Sequence, residues 1–491
     1  MRMKDSTHDP SKKAGTNVRM LPNLTTDFPL TPSGFPYKDP YDFIDGKRID
    51  DQVPAHQHRI HDKLYDLNKF EHPGGALWLD LTSGTDITEL FETHHLNFHK
   101  AATVLAKYEV KCKTPLPPRK SLLTFHQNGF YATLRKKVWE KFSHTAQLGP
   151  SKSASIFADM LAALSGWLTY MAGSYITTSM EVAISITVIV GVLNGFFIGI
   201  GHNFMHQRTN LRRYYMDISG FSCAEFRMHH ALSHHPYTNT SLDAEINSLL
   251  TVGVSFFPVK KSLTDKIKAA VALPLLITFG IPVKQISRMF RILLGTWRGE
   301  REDKLAQLIP VLQVVLFMHC CIDHFSTGLL LWLLMLSVTS SVFLWGNFLN
   351  GPHFNDECWH QKDTLDSTDW GILQVQTSVE RSELSSKDTL STNLLNIVTF
   401  NMHHLHHLFP TIDATYLSQL NQLFEEHCLE HSVVFNTMDN ASLARGLWRC
   451  VISRYDTPND RTRNGIYLQL SETNNMTEDA EDEGSTDKKK K

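Results

Sequence analysis

Four stretches of the chain carry long apolar runs with few or no charges. The first two, 156–177 and 181–201, are separated by a short polar turn. A second pair covers 306–323 and 327–346, with an equally short connection. Each run approaches the ~20 residues that a helix needs to cross a bilayer. The pattern therefore predicts two transmembrane hairpins, rather than four buried helices of a soluble protein.

Two further apolar stretches, 246–259 and 269–283, are shorter than a membrane-crossing helix. They are predicted to lie in the membrane interface or to pack against the hairpins. Basic residues flank the outer ends of the hairpins and are absent from both hairpin turns. The positive-inside rule then places both termini and the segment 202–305 in the cytosol. Because 1–30 has no apolar core, no cleavable signal peptide is expected.

Composition narrows the class of protein further. The 491 residues contain 48 Lys and Arg against 50 Asp and Glu, which argues against a nucleic-acid partner bound by bulk charge. The seven cysteines are scattered without a C-x-x-C pair, so neither a zinc ribbon nor a disulfide framework is expected. Residues 1–38 and 456–491 are polar enough to predict disorder. Histidine, the commonest metal ligand, occurs 26 times, so its distribution is informative.

A haem-binding motif lies near the N-terminus. The string Tyr65-Asp-Leu-Asn-Lys-Phe-Glu-His-Pro-Gly-Gly75 resembles cytochrome b5, in which the histidine of HPGG is an axial haem ligand. This resemblance implies an α+β haem domain over 39–115, with His72 as one ligand of haem b. His95 follows 23 positions later, the spacing expected when such domains are fused to desaturases, and His94 is the alternative. Two axial histidines allow the iron to pass electrons.

Three more histidine clusters follow the apolar segments. The first hairpin runs directly into an i, i+4 pair, which lies on one face of a helix and can share a metal. The three clusters provide eight candidate ligands: His202 and His206; His230, His234 and His235; His403, His406 and His407. Eight ligands are too many for one ion and suit two. Imidazole suits several metals, but a fused haem favours a redox-active one, since zinc needs no electron donor.

The clusters resemble the histidine boxes of membrane fatty-acyl desaturases, H-x(3,4)-H, H-x(2,3)-HH and [HQ]-x-x-HH. The string His406-His-Leu-Phe-Pro-Thr411 is especially similar to the third box. The resemblance covers about 41–455 and adds His353, in Leu349-Asn-Gly-Pro-His353, as a ninth ligand. It implies an all-α membrane domain over 116–455, with four transmembrane helices and a cytosolic helical cap, after the haem domain.

This resemblance also implies an activity. Two iron ions would use O2 to desaturate or otherwise oxidise a fatty acyl substrate, presented as acyl-CoA or bound in a membrane lipid. Electrons would pass from NADH through a separate flavoprotein, cytochrome b5 reductase, to the haem and then to the iron pair. No catalytic residue beyond the metal ligands is expected. Front-end desaturases usually carry Gln where this chain has His403, which leaves the position of the new double bond open.

The same resemblance predicts residence in the endoplasmic reticulum membrane. The four lysines at 488–491 are similar to a dilysine retrieval signal, although a solvated basic terminus is the simpler interpretation. Two other functions stay open. The chain could be a membrane-anchored haem electron carrier with a catalytically silent desaturase-like domain. A histidine-lined metal transporter is the third possibility, but the histidine clusters lie outside the apolar spans.

Overall fold

The computed structural model describes residues 33–34, 37–112, 115–143, 149–207, 210–240, 242–247, 254, 261–319, 324–349, 351, 353–354, 358, 369–383 and 387–452. Disorder is predicted for 1–38 and 456–491, and most of these positions fall outside the described residues. Of the four that are described, Tyr37 is buried. The retrieval signal predicted at 488–491 also falls outside the described residues.

The first structural unit is the small α+β domain that the sequence predicts. Its elements are α1 (Asp42–Asp51), β1 (His58–Ile60), β2 (Lys63–Tyr65), α2 (Ala76–Thr82), α3 (Thr88–His94), α4 (Phe98–Leu105) and β3 (Glu109–Val110). The three strands form an antiparallel sheet of order β1-β2-β3. A separate apolar core, including Ile60, Tyr65 and Phe91, lies between the sheet and the helices. Helix α1, which comes before the sheet in the chain, does not contribute to this core. It buries Phe43 and Ile44 in the core of the second unit instead.

The second unit is predominantly helical. Its helices are α5 (Phe130–Phe142), α6 (Lys152–Ser174), α7 (Met180–Met205), α8 (Cys223–Phe226), α9 (His235–Tyr237), α10 (Ala244–Asn247), α11 (Leu263–Leu293), α12 (Arg301–Ala306), α13 (Leu308–Met318), α14 (Phe325–Phe343), α15 (Trp370–Gln376), α16 (Leu390–Thr399), α17 (His403–Leu408), α18 (Ala414–Leu417), α19 (Asn421–Glu430) and α20 (Asn440–Ile452). Two strands, β4 (Val379–Arg381) and β5 (Asn436–Met438), pair in parallel. A 3-10 helix covers Leu211–Ser219, and π-helical turns cover Arg227–His234 and Leu344–Leu349.

Four helices are long and apolar enough to cross a bilayer: α6, α7, α11 and α14 with its extension to Gly346. Three of them coincide with predicted spans, but α11 was expected to be shorter. The helix has 31 residues because its polar flanks are helical as well as the apolar stretch. It begins after a capping box at Ser262 and continues through two internal prolines. The predicted span 306–323 instead contains α13, which has only 11 residues.

Both ends of α11 contact the histidine side of the second unit, meaning the end at which α7 terminates and α17 lies. Lys261, just before α11, donates to the carbonyl of Cys450 in α20. Near the other end, Arg291 pairs with Asp39, which precedes α1. Exposed apolar side chains recur every three or four residues along the helix: Ile267, Val271, Leu275, Phe279, Val283, Ile286 and Phe290. One continuous apolar stripe is typical of a helix that lies in the membrane interface.

The pair α12–α13, by contrast, runs from the histidine side to the opposite end. Asp303 in α12 accepts hydrogen bonds from Arg227 and from Tyr214, each at 3.0 Å. After α13, the His319 ring stacks on Tyr170 near the end of α6, with centroids 3.9 Å apart. We therefore propose that α12–α13 and α14 form the second membrane-crossing hairpin, and that α11 lies in the interface.

This arrangement predicts the accessibility of both ends of α11. In a background in which Cys112, Cys320 and Cys321 are changed to Ser, the other native cysteines are buried. Cysteines introduced there by Ser262→Cys and Thr296→Cys should react from the same side with a membrane-impermeant maleimide in sealed vesicles. A cysteine introduced by Thr178→Cys, in the α6–α7 turn, should react from the opposite side. If the other two react in sealed vesicles, it should react only after permeabilisation, and if they require permeabilisation, it should not. Reaction of Ser262→Cys and Thr296→Cys from opposite sides would show that α11 crosses the membrane.

Candidate metal centre and haem site

All nine sequence-predicted metal ligands converge in the buried interior of the second unit. Five of them form a first group, in which the ligand atoms lie within 4.8 Å of one another: His202, His206, His230, His235 and His406. A second group contains His234, His353 and His407, with His403 beside it. The two groups adjoin, since the rings of His235 and His407 stack at 4.3 Å. The structure thus brings the predicted residues together as two sites.

Local helix geometry explains which histidine reaches which group. His202 and His206 lie one turn apart at the end of α7. The second cluster lies on a π-helix, in which the hydrogen bond spans five residues and the N–H of His235 meets the carbonyl of His230. That spacing brings the ring centroids of His230 and His235 within 4.6 Å of each other, so both reach the first group, whereas His234 reaches the second. On α17 the adjacent residues 406 and 407 similarly divide between the groups.

Hydrogen bonds at Nδ1 fix the tautomers of four ligands. Each Nδ1 faces an oxygen that can accept its proton, which places the proton on Nδ1 and leaves Nε2 with a lone pair. The pairs are His230 with Glu245, His234 with Asp243 at 2.8 Å, His353 with the carbonyl of Thr377 at 2.9 Å, and His407 with Oε1 of Gln374 at 2.9 Å. This is the tautomer in which Nε2 binds a metal.

The lone-pair nitrogens then face one another at short distances. Nε2 of His353 lies 2.9 Å from Nε2 of His407, and neither atom carries a proton to share. In the first group, the unprotonated Nε2 of His230 lies 2.8 Å from Nε2 of His202 and 3.0 Å from Nε2 of His235. A cation between Nε2 of His353 and Nε2 of His407 removes the repulsion between their lone pairs. The all-imidazole donor sets therefore fit two transition-metal ions.

Burial keeps most of these imidazoles neutral, as a metal ligand must be. It lowers the pKa of His406 to about 3. Burial likewise lowers the pKa of four other ligands well below the usual range: His230, His353, His403 and His407. For His234, burial also lowers the pKa, but the carboxylates of Asp243 and Glu245 outweigh it and raise the pKa overall.

The orienting residues Asp243, Glu245 and Gln374 were missed by the sequence reasoning. No spacing rule marks them, because each is defined by contact with a ligand and not by a motif. The usable signal was chemical, since a buried ligand histidine needs an acceptor at its other nitrogen. Asp243 and Glu245 are the first two carboxylates after the second cluster.

The predicted haem ligands also meet. The rings of His72 and His95 lie 5.9 Å apart at 88°. Nδ1 of His95 is 2.8 Å from the carbonyl of Phe91, which leaves Nε2 as the iron-binding atom. The HPGG glycines have two different roles, since a Cβ at Gly74 would lie 2.8 Å from Cε1 of His72, and Gly75 has φ 111°. The residues present fit a bis-histidine haem, and the ring that meets His72 is that of His95.

Helix α3, which ends just before the candidate haem ligand His95, packs on segments that carry candidate metal ligands. Glu89 of α3 accepts a hydrogen bond at 3.1 Å from Tyr237, which lies two residues after the metal ligand His235. The hydroxyl of Tyr131 donates at 3.2 Å to the carbonyl of Leu408, directly after His407, and lies 3.5 Å from the carbonyl of Thr93 in α3. A buried ion pair at 2.7 Å joins Arg135 to Glu92. These contacts fix the haem ligand relative to the metal ligands.

Comparison with known proteins agrees with this architecture. A fatty acid desaturase family model matches residues 178–438, and a cytochrome b5-like haem/steroid-binding domain model matches 58–122. The chain belongs to the fatty acid desaturase family. The desaturase match contains all nine candidate metal ligands, and the cytochrome b5 match contains His72 and His95. The chain is thus a membrane oxidoreductase of lipid metabolism with its own haem-binding domain.

Individual relatives show the same two-domain extent. The cytochrome b5-related protein of Drosophila melanogaster is 31% identical over 405 residues, covering 80% of this chain and 85% of the relative. Acyl-lipid (8-3)-desaturase B of Dictyostelium discoideum is 25% identical, covering 79% of this chain and 89% of the relative. Delta(5) fatty acid desaturase A of the same organism is 24% identical, covering 77% and 86%. No solved structure matches the chain significantly.

The metal groups predict a contrast between two neighbouring histidines. His406→Gln should weaken metal binding by roughly 100-fold or more, because a ligand of the first group is lost. His404→Gln is the matched control, since His404 lies in neither group and contacts the carbonyl of Ser378 at 3.2 Å. Elemental analysis of the purified full-length variants, expressed as metal per haem, gives the result. Equal metal content in both variants would contradict the assignment.

The haem site predicts a similar contrast. His95→Ala in the full chain should abolish the low-spin b-type absorption spectrum, because one axial ligand is lost. His94→Ala should retain that spectrum, since among the described residues it is the ring of His95, and not that of His94, that contacts the ring of His72. Loss of the spectrum with His94→Ala alone would make His94 the ligand.

Proposed function

We propose that the protein is an O2-dependent oxidoreductase that desaturates, or oxidises in a related way, the chain of a fatty acyl lipid. One observation carries the proposal: two adjoining groups of buried neutral imidazoles lie beside a bis-histidine haem site on the same chain. Iron, when bound by those imidazoles, supplies the oxidising power toward an unactivated C–H bond that no side chain has. A zinc site would need no haem beside it.

The chain's own residues prepare the site for that chemistry. In this proposal the first group holds one iron ion and the second group, with His403, holds the other. Asp243, Glu245 and Gln374 hold the Nδ1 protons, so that each Nε2 stays available. Burial excludes bulk water from the oxidising centre, which limits side reactions. No other side chain is needed as a general acid or base.

The docking of α3 supports electron entry through the haem. Tyr237 and Arg135 hold the acidic side chains of α3, so the haem ligand His95 stays close to the metal centre. The electron source in this proposal is NADH, delivered through cytochrome b5 reductase. Such a donor is cytosolic, which agrees with the positive-inside orientation and with residence in the endoplasmic reticulum membrane, both termini facing the cytosol.

The names of the relatives indicate the substrate class. Those from Dictyostelium discoideum are an acyl-lipid (8-3)-desaturase and a Delta(5) fatty acid desaturase. By analogy, the substrate of this chain is an acyl chain, carried by coenzyme A or by a membrane lipid. In the alternative function, the protein has the same fold and carries electrons through its haem, but its desaturase-like domain does not oxidise an acyl chain.

Lipid profiling tests the proposal directly. Yeast cells that express the chain should accumulate unsaturated acyl chains absent from cells that express His234→Ala, because that variant loses a ligand of the second group. His404→Gln should retain the products. The purified wild type should contain about three iron atoms per chain, one in haem and two in the imidazole groups. Unchanged lipids together with about one iron per chain would favour the silent electron carrier.

A further inference from the structure

A second feature beside the metal centre has no part in the chemistry above. A cavity of about 220 Å³ lies between α11 and the residues that precede α1. The side chains that matter here are Lys38, Lys284, Arg288, Arg291, His229 and Glu225. Four of these six are cationic and one is a carboxylate. A concave surface with such an excess of positive charge attracts an anion.

Arg288 supplies donors that the protein does not satisfy. Its side chain is only 2% exposed, and Nη2 donates at 2.7 Å to the carbonyl of Gly220. Nε and Nη1 are buried without a hydrogen-bond partner, and the nearest carboxylate, Glu225, lies 3.8 Å from Nη1. Nδ1 of His229, also in the cavity wall, is buried without a partner. Unsatisfied donors on a buried guanidinium are costly, and an oxyanion satisfies them.

The one carboxylate in the wall is already engaged. Oε1 of Glu225 accepts a hydrogen bond at 3.0 Å from Nε1 of Trp297 and lies 3.8 Å from Arg291. Arg291 is further paired with Asp39. No carboxylate of the described residues lies within ion-pair distance of Lys284. Lys284 and Arg288 therefore remain available to an incoming anion.

The position of the cavity links it to the acyl chain. His229 precedes the metal ligand His230, and Ala244 in the cavity wall precedes Glu245, which orients that ligand. The opposite wall includes Val283, which belongs to the exposed apolar stripe of α11. An anion held here would lie at the membrane interface, with an attached alkyl chain free to enter the apolar interior beside the metal centre.

We propose that this cavity binds the phosphate-bearing headgroup of the acyl substrate. The biological role assigned to it rests on the proposed function, because an acyl-oxidising centre needs the headgroup anchored at a fixed distance. The phosphoryl group belongs either to a glycerophospholipid or to coenzyme A. Both present the same oxyanion to Lys284 and Arg288, so the experiment separates them.

Equilibrium binding to the purified, haem-loaded full-length chain tests the inference. The probes are radiolabelled stearoyl-lysophosphatidic acid, stearoyl-CoA and, as the uncharged reference, 1-stearoylglycerol. Lys284→Glu should weaken binding of at least one phosphate probe by roughly tenfold or more, and leave 1-stearoylglycerol unchanged. Lys268→Glu is the matched control, an exposed lysine about 24 Å away on the same helix, and should change none of them.

Each outcome has a defined meaning. If Lys284→Glu weakens only the binding of lysophosphatidic acid, the site binds the headgroup of a membrane phospholipid. If it weakens only the binding of stearoyl-CoA, the site binds the coenzyme A of an acyl-CoA thioester. Unchanged affinity for both phosphate probes overturns the inference, as does equal loss of 1-stearoylglycerol. Retained binding of 1-stearoylglycerol reports that the second unit of each variant is folded, whereas the haem domain has a core of its own. Because binding requires no turnover, Lys284-dependent binding without new lipid products would refute the proposed function while the headgroup site stands.

Discussion

The nine metal-site imidazoles impose the constraint on which the rest of the structure depends. Neighbouring Nε2 atoms lie 2.6–3.1 Å apart, and hydrogen bonds at Nδ1 leave several of them without a proton. Two buried lone pairs at such a distance, as at His353 and His407, repel each other unless a cation lies between them. The ligands come from α7, the π-helix, the loop at His353 and α17, so four segments distant in sequence must pack at one end of the hairpins.

The haem domain is part of the same packing arrangement. Its short α3 is held by Tyr237, Tyr131 and Arg135, all from the second unit, and the candidate haem ligand His95 follows at the end of that helix. A flexible tether alone would raise the local concentration of the electron donor. The docked helix does more, because it also fixes the orientation of the haem domain. The candidate haem site and the candidate metal centre therefore behave structurally as one assembly.

The apolar helices show what a sequence pattern predicts about a membrane protein and what it does not. Runs of apolar residues located α6, α7 and α14, because length and hydropathy are properties of a single segment. The same measures also select α11, yet the contacts of Lys261 and Arg291 place both of its ends on the histidine side. Whether a long apolar helix crosses or lies flat depends on what its ends touch, and that information is not local.

The sequence by itself determined the two-domain order, the α+β class of the haem domain and the identity of the candidate ligands. These follow from local patterns: HPGG for the haem, and i, i+4 histidines after apolar runs for the metals. Only the tertiary structure decided how the histidines divide, with adjacent His406 and His407 in different groups. It alone also found Asp243 and Glu245 as orienting acceptors, and the cationic cavity beside Arg288. The physical reason is that each of these features depends on atoms that packing brings within a few ångströms. The residues that carry those atoms are not spaced along the chain by any regular period, so no sequence pattern reveals them.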